Sequence, residues 1–121
     1  MELFQMESNR PERYRDTRLE VDFPTRTALV DASLVPLTPL EFALLAQLAR
    51  HAGEIVSRET LMLNVWGYGP EIRSRTMDVH LRRLRVKLGT YGRQHVETVF
   101  GLGYRLQPCA AQQTLTQAAG A

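Results

Sequence analysis

The segment TPLEFALLAQLAR (38–50) limits the fold more than any other part of the chain. Thr38 precedes Pro39, and Glu41 stands three residues after Thr38. This spacing predicts a capping box, in which the Thr38 and Glu41 side chains each satisfy a backbone N–H at the start of a helix. Leu40, Phe42, Ala43, Leu44, Leu45 and Leu48 then cover most of the circumference instead of a single stripe. A helix apolar on so many sides must be wrapped by other elements, so the fold is expected to close around it. Gly53 follows as a natural C-terminal stop.

The flanking segments supply the wrapping. LEVDF (19–23) alternates apolar and polar as a half-buried strand does, and TALV (27–30) and SLVPL (33–37) are further short strands around Asp31, so a small antiparallel sheet is expected. Ser57 is a second N-cap candidate, opening a helix to about Trp66. GYGPEIR (67–73) cannot continue it, because two glycines and a proline fall within four residues. A third helix, SRTMDVHLRRLRVKLG (74–89), is closed by Gly89. HVETVFGLGYRLQ (95–107) reads as a β-hairpin around a glycine-rich turn. The expected order is sheet, three helices, hairpin. Residues 1–17 read as a linker or flexible leader, 18–107 as the folded domain and 108–121 as a disordered tail of low complexity.

Charge is concentrated in the third helix and the loop before it. Between Glu71 and Leu88, six cations (Arg73, Arg75, Arg82, Arg83, Arg85, Lys87) face two acids (Glu71, Asp78), a local +4 in a chain whose net charge is +2. At about 100 degrees per residue, Met77, Leu81, Leu84 and Leu88 form a narrow core stripe. Arg75, Val79, Arg82 and Val86 lie near the opposite pole, with Thr76 and Arg83 beside them. Exposed charges and C-terminal cations on helices are commonly no more than solvated groups. This helix, however, lacks the Glu–Lys mixture of a solvated face, and five of the six cations are arginines, whose planar fork matches phosphate or guanine in two-point contact. One dry face and one cationic face is the shape that enters a major groove. The hairpin (95–107), with Arg93, His95 and Arg105, offers either a second contact, on phosphates or in an adjacent minor groove, or a ribbon closing the core.

Other chemistries find little support. Cys109 is the only cysteine, which leaves no disulfide framework and no cysteine-based metal site, and His51, His80 and His95 lack metal-ligand spacing. No nucleophile or acid/base motif is present, and GLG (101–103) is too short for a phosphate loop, so neither catalysis nor a cofactor is expected. No apolar run approaches the ~18 residues of a membrane span, and the first residues carry no secretory apolar core. A cytoplasmic, globular protein of one modest core is expected.

The stretches LTPLEFALLAQLARHAGEIVSRETLMLNVWGY, RTMDVHLRRLR and VETVFGLGYRL occur in an order and spacing that resemble the effector domain of the OmpR/PhoB family of bacterial response regulators, over about residues 18–107. The resemblance implies an α+β winged helix-turn-helix with an N-terminal antiparallel sheet, three helices and a C-terminal β-hairpin wing. It also implies promoter binding as a head-to-tail homodimer on direct repeats, and contact with RNA polymerase. By position, base reading falls to Thr76, Asp78, Val79 and Arg83, and phosphate contact to Trp66, Arg75, His80, Arg82, Arg85, Thr98 and Tyr104. The polymerase-contact loop is Gly67, Tyr68, Gly69, Pro70, Glu71, Ile72 and Arg73.

Residue chemistry agrees with most of this. Arg83 can fork onto guanine and Val79 can pack on a thymine methyl, Arg82 and Arg85 suit phosphates, and Trp66 and Tyr104 can each donate one hydrogen bond to a phosphate oxygen. Trp66 serves equally as core or phosphate donor, and Asp78 equally as a helix-start acid or a cytosine reader. Two features depart from the family pattern. Phe100 stands where members often carry an arginine that can enter the minor groove, before the wing glycines, so either the wing has lost that contact or Phe100 packs on sugars or on the core; packing is expected, which argues against minor-groove readout by this wing. The segment before the winged helix reads as linker and not as a phospho-acceptor receiver domain, which suits an excised effector domain or a stand-alone regulator. The competing reading is a winged-helix protein-interaction module with only weak, non-specific DNA binding.

Overall fold

The computed structural model describes residues 12–66 and 74–109, the side chains of 74 and 75 excepted. Strands β1 (Arg13–Arg15), β2 (Leu19–Asp22), β3 (Thr27–Val30) and β4 (Ser33–Leu34) form an antiparallel sheet in chain order. Register pairs Tyr14 with Val21 and Val21 with Ala28, so that Leu19, Val21 and Ala28 all turn one face of the sheet into the core. The alternation in LEVDF is the direct sequence cause.

The sheet begins earlier than expected, because β1 lies within the stretch read as leader. Its anchor is Asp16. This carboxylate accepts hydrogen bonds from the hydroxyls of Tyr14 (2.6 Å) and Tyr91 (2.5 Å) and from the backbone N–H groups of Arg18, Leu19 and Cys109. Burial alone would raise the Asp16 pKa, but the donors outweigh it and hold the group below the usual carboxylate range. The fold also passes residue 107 at the other end. The Cys109 carbonyl accepts from the Thr17 hydroxyl at 2.9 Å.

Helix α1 (Pro39–Arg50) carries the predicted capping box: the Glu41 N–H donates to Thr38 Oγ1 at 3.2 Å and the Thr38 N–H to Glu41 Oε1 at 2.9 Å. Phe42, Leu44, Leu45, Leu48 and Ala49 are buried along it, as a helix apolar on several sides requires. Ser57 caps α2 (Arg58–Leu61), which runs on as a π-helical turn through Met62–Trp66. Helix α3 spans Ser74–Leu88.

A fourth helix, α4 (Thr90–His95), was not expected. It takes Arg93 and His95 out of the hairpin, and stacks the His95 ring on Tyr91 at 4.6 Å. Gly92 lies at its contact with α3, where a Cβ would overlap the Arg85 carbonyl. Strands β5 (Val96–Val99) and β6 (Gly103–Leu106) form the hairpin. Its base is in the core, with Val96 and Leu106 buried, and Val56 forms a β-bridge to Tyr104 through two backbone hydrogen bonds.

Candidate nucleic-acid interface

Helix α3 divides as its periodicity predicts. Met77, Leu81, Leu84 and Leu88 are buried against the core. Arg82, Arg83, Val79 and Val86 are exposed on the other side, and Thr76 and His80 are half-buried along its flanks. The His80 ring lies 5.9 Å from the ring of half-buried Trp66, so these two candidate phosphate contacts are neighbours. The loop 67–73 and the Arg75 side chain fall outside the described residues.

Of the six cations counted in the sequence, the four with described side chains (Arg82, Arg83, Arg85 and Lys87) do not form one surface. Lys87 donates to Glu41 Oε1 at 2.6 Å. Glu41 is only 2% exposed, and it therefore closes the α1 cap and pairs with α3 at once. Burial would raise the Glu41 pKa, but the Lys87 ammonium and the Thr38 N–H together hold it below the ordinary value. Arg85 also turns inward. Its Nε donates to the Val96 carbonyl at 2.8 Å and an Nη to Thr98 Oγ1 at 2.6 Å, which ties the wing to the helix. Burial lowers the Arg85 pKa from its usual value. Arg82 and Arg83 differ: among the described residues no carboxylate lies within ion-pair distance of either.

Asp78 has a set of partners that its place in the sequence did not reveal. Its Oδ1 accepts from the Tyr104 hydroxyl at 2.6 Å and from an Arg58 Nη at 3.0 Å, while the other Arg58 Nη donates to the Tyr104 oxygen at 3.0 Å. The triangle joins α2, α3 and β6. Tyr104 is 2% exposed, and burial, reinforced by the Asp78 carboxylate, pushes its pKa up to about 12. A phenol has one proton to donate, and in this arrangement Tyr104 gives it to Asp78. Sequence reasoning passed over Arg58. One signal was available: a cation in the first turn of a helix opposes the macrodipole, so an arginine directly after the Ser57 cap calls for some other use.

Thr98 and Tyr104 face each other across the hairpin, and Thr98 accepts from α3 while Tyr104 donates to it. On the opposite face Arg105 pairs with Glu97 at 2.6 Å. The turn holds Phe100, 90% exposed, and Leu102, 59% exposed. Packing of Phe100 on the core is therefore overturned: the sharp turn at Gly101, with φ of +81°, carries the ring away from the body.

A four-stranded antiparallel sheet, a central helix, an exposed cationic helix and a hairpin beside it define a winged helix-turn-helix of the α+β class. Residues 32–106 match the family described as "Transcriptional regulatory protein, C terminal", and the chain belongs to this family of OmpR/PhoB-type effector domains, a class of regulators and not of enzymes. The chain is 38% identical over 92 residues to the DNA-binding response regulator MtrA of Mycolicibacterium smegmatis, covering 74% of this chain but only 40% of MtrA. Among solved structures it resembles the Klebsiella pneumoniae RstA DNA-binding domain in complex with the RstA box, with a TM-score of 0.74 and 30% identity, over 82% of this chain and 100% of that one. The DNA-binding domain of CpxR from E. coli gives a TM-score of 0.72 at 31% identity, over 81% and 98% of the respective chains.

Proposed function

We propose that this chain reads double-stranded DNA by sequence, as the DNA-binding part of a bacterial transcriptional regulator, with α3 in the major groove. One observation carries the reading: Arg82, Arg83 and Val79 are exposed together on a helix whose opposite stripe is sealed in the core. In this reading Thr76, Val79 and Arg83 reach base edges. Trp66, Arg75, His80, Arg82 and Thr98 serve the backbone, and Arg58 joins them, since Asp78 and Tyr104 hold its guanidinium at the edge of the interface. Arg85 and Tyr104 act chiefly by fixing the wing against α3, and Asp78 by orienting Arg58.

Family membership supports the wider roles included in the proposal. These are head-to-tail pairing on direct repeats, contact with RNA polymerase through 67–73, and residence in the bacterial cytoplasm. No described helix is long and apolar enough to cross a membrane.

The test is a salt titration on duplexes selected from a random pool. Each neutralised phosphate contributes roughly −0.9 to the slope of log K against log salt, so the three arginines on the backbone (Arg58, Arg75, Arg82) give an expected slope of about −2.7 per bound copy, with tight binding confined to the selected sequence. A flat slope, or equal affinity for every duplex, would instead identify a protein-interaction module.

A further inference from the structure

We propose that Val86 is a further base-reading residue, which packs on a thymine methyl three base steps from the thymine read by Val79. The proposal rests on the DNA-binding reading and adds to it a contact at the C-terminal end of α3.

The fold leaves Val86 as the outward group of that end. Its two chain neighbours are cations, and both are turned aside. Arg85 is tied to the Val96 carbonyl and Thr98 Oγ1 of the hairpin, and Lys87 to Glu41 of α1. Leu84 and Leu88, two residues away on either side, are buried in the core. Val86 is thereby held in a fixed, outward position and is 68% exposed. The backbone there is still helical: α3 runs to Leu88, and the Val86 carbonyl accepts from the Gly89 N–H at 3.0 Å.

Helical register joins Val86 to the reading face. Seven steps of about 100 degrees bring it within about 20 degrees of Val79, with Arg82 on one side of the line between the two valines and Arg83 on the other. Val79 is 40% exposed, and both arginines are exposed. The same seven residues rise about 10.5 Å along the helix, while three base steps on one strand rise about 10 Å. In a helix lying along the major groove, the two valines therefore meet bases three steps apart, with Arg83 between them.

The chemistry of this face selects the occupant. A lone exposed valine calls for no ligand. Here two valines share a register, between arginines that have no described carboxylate within ion-pair distance. Such a face attracts a polyanion, and in the major groove the one apolar group on a base edge is the thymine methyl. A β-branched residue at an exposed helix position is less favourable than Ala, Lys or Arg, so Val86 is not explained by helix stability. Its χ1 is nearly fixed in a helix, so a methyl contact orders little that is not already ordered.

The experiment replaces each thymine of a selected duplex in turn by deoxyuridine, which removes only the C5-methyl. Affinities of the wild type, Val86→Ala and Val79→Ala are compared at fixed salt. Because Val86 is exposed and alanine favours the helix, circular dichroism of Val86→Ala is expected to match the wild type. The wild type should weaken about fourfold, the effect of one buried methyl, at two positions three steps apart on one strand. Val86→Ala should bind the parent duplex less tightly and become indifferent to deoxyuridine at one of these positions, and Val79→Ala at the other. A Val86→Ala protein that keeps every methyl dependence of the wild type would overturn the proposal alone. So would equal weakening on all duplexes with methyl dependence intact, which would assign Val86 to the sugars, or a silenced position at any other spacing from that of Val79. A wild type that binds no duplex would overturn the DNA reading together with it.

Discussion

Asp78 lies on the cationic helix, yet its carboxylate serves Tyr104 and Arg58. An acid in a phosphate-binding surface would repel its ligand if it stood alone. Paired with Arg58, it holds a guanidinium in place. The sequence left Asp78 open between helix-start acid and base reader, and the two roles predict different losses. As an orienting residue, Asp78→Ala removes the acceptor of a buried hydroxyl, at a cost of about 1–2 kcal/mol in urea denaturation, and weakens all duplexes alike. A base reader would instead change preference at one base pair, so binding to a panel of single-base variants separates the two. Arg85 illustrates the same limit of sequence reading: its helical position is legible, but the inward turn to Val96 and Thr98 depends on a hairpin brought close only by the fold.

Among the elements, α1 and α3 were legible because their signals are local. A capping box and a four-residue core stripe need no tertiary partner to be recognised. The elements missed are those that tertiary contacts create. Strand β1, RYR, has no apolar alternation of its own, and it is held by pairing to β2 and by the hydrogen bonds to Asp16. Helix α4 is six residues long with glycine inside it, which propensity disfavours; Gly92 is required there because α4 crosses close to the Arg85 backbone. The wing hairpin was legible as two strands around glycine, but its junction with Val56 was not. At that junction Gly103 has φ of +148° and a Cβ would strike the Val56 carbonyl. Gly103→Ala should therefore cost more than about 2 kcal/mol in chemical denaturation, and should speed amide exchange at Val56 and Tyr104, whose N–H groups make this bridge.

At the scale of the whole molecule, the chain spans 40% of the length of MtrA, the curated relative described above, and what it contributes is a rigid presentation of α3. Core leucines, the Glu41–Lys87 pair and the Arg85 link to the wing fix that helix from three directions, leaving Arg82 and Arg83 directed outward. Base reading by this helix is checked by measuring wild type and Arg83→Ala against every single-base variant of the selected half-site at fixed salt. Arg83→Ala is expected to lose about 1–3 kcal/mol of discrimination at one base pair and to keep its preferences elsewhere. An Arg83→Ala protein with an unchanged preference at every position would contradict base reading by this helix.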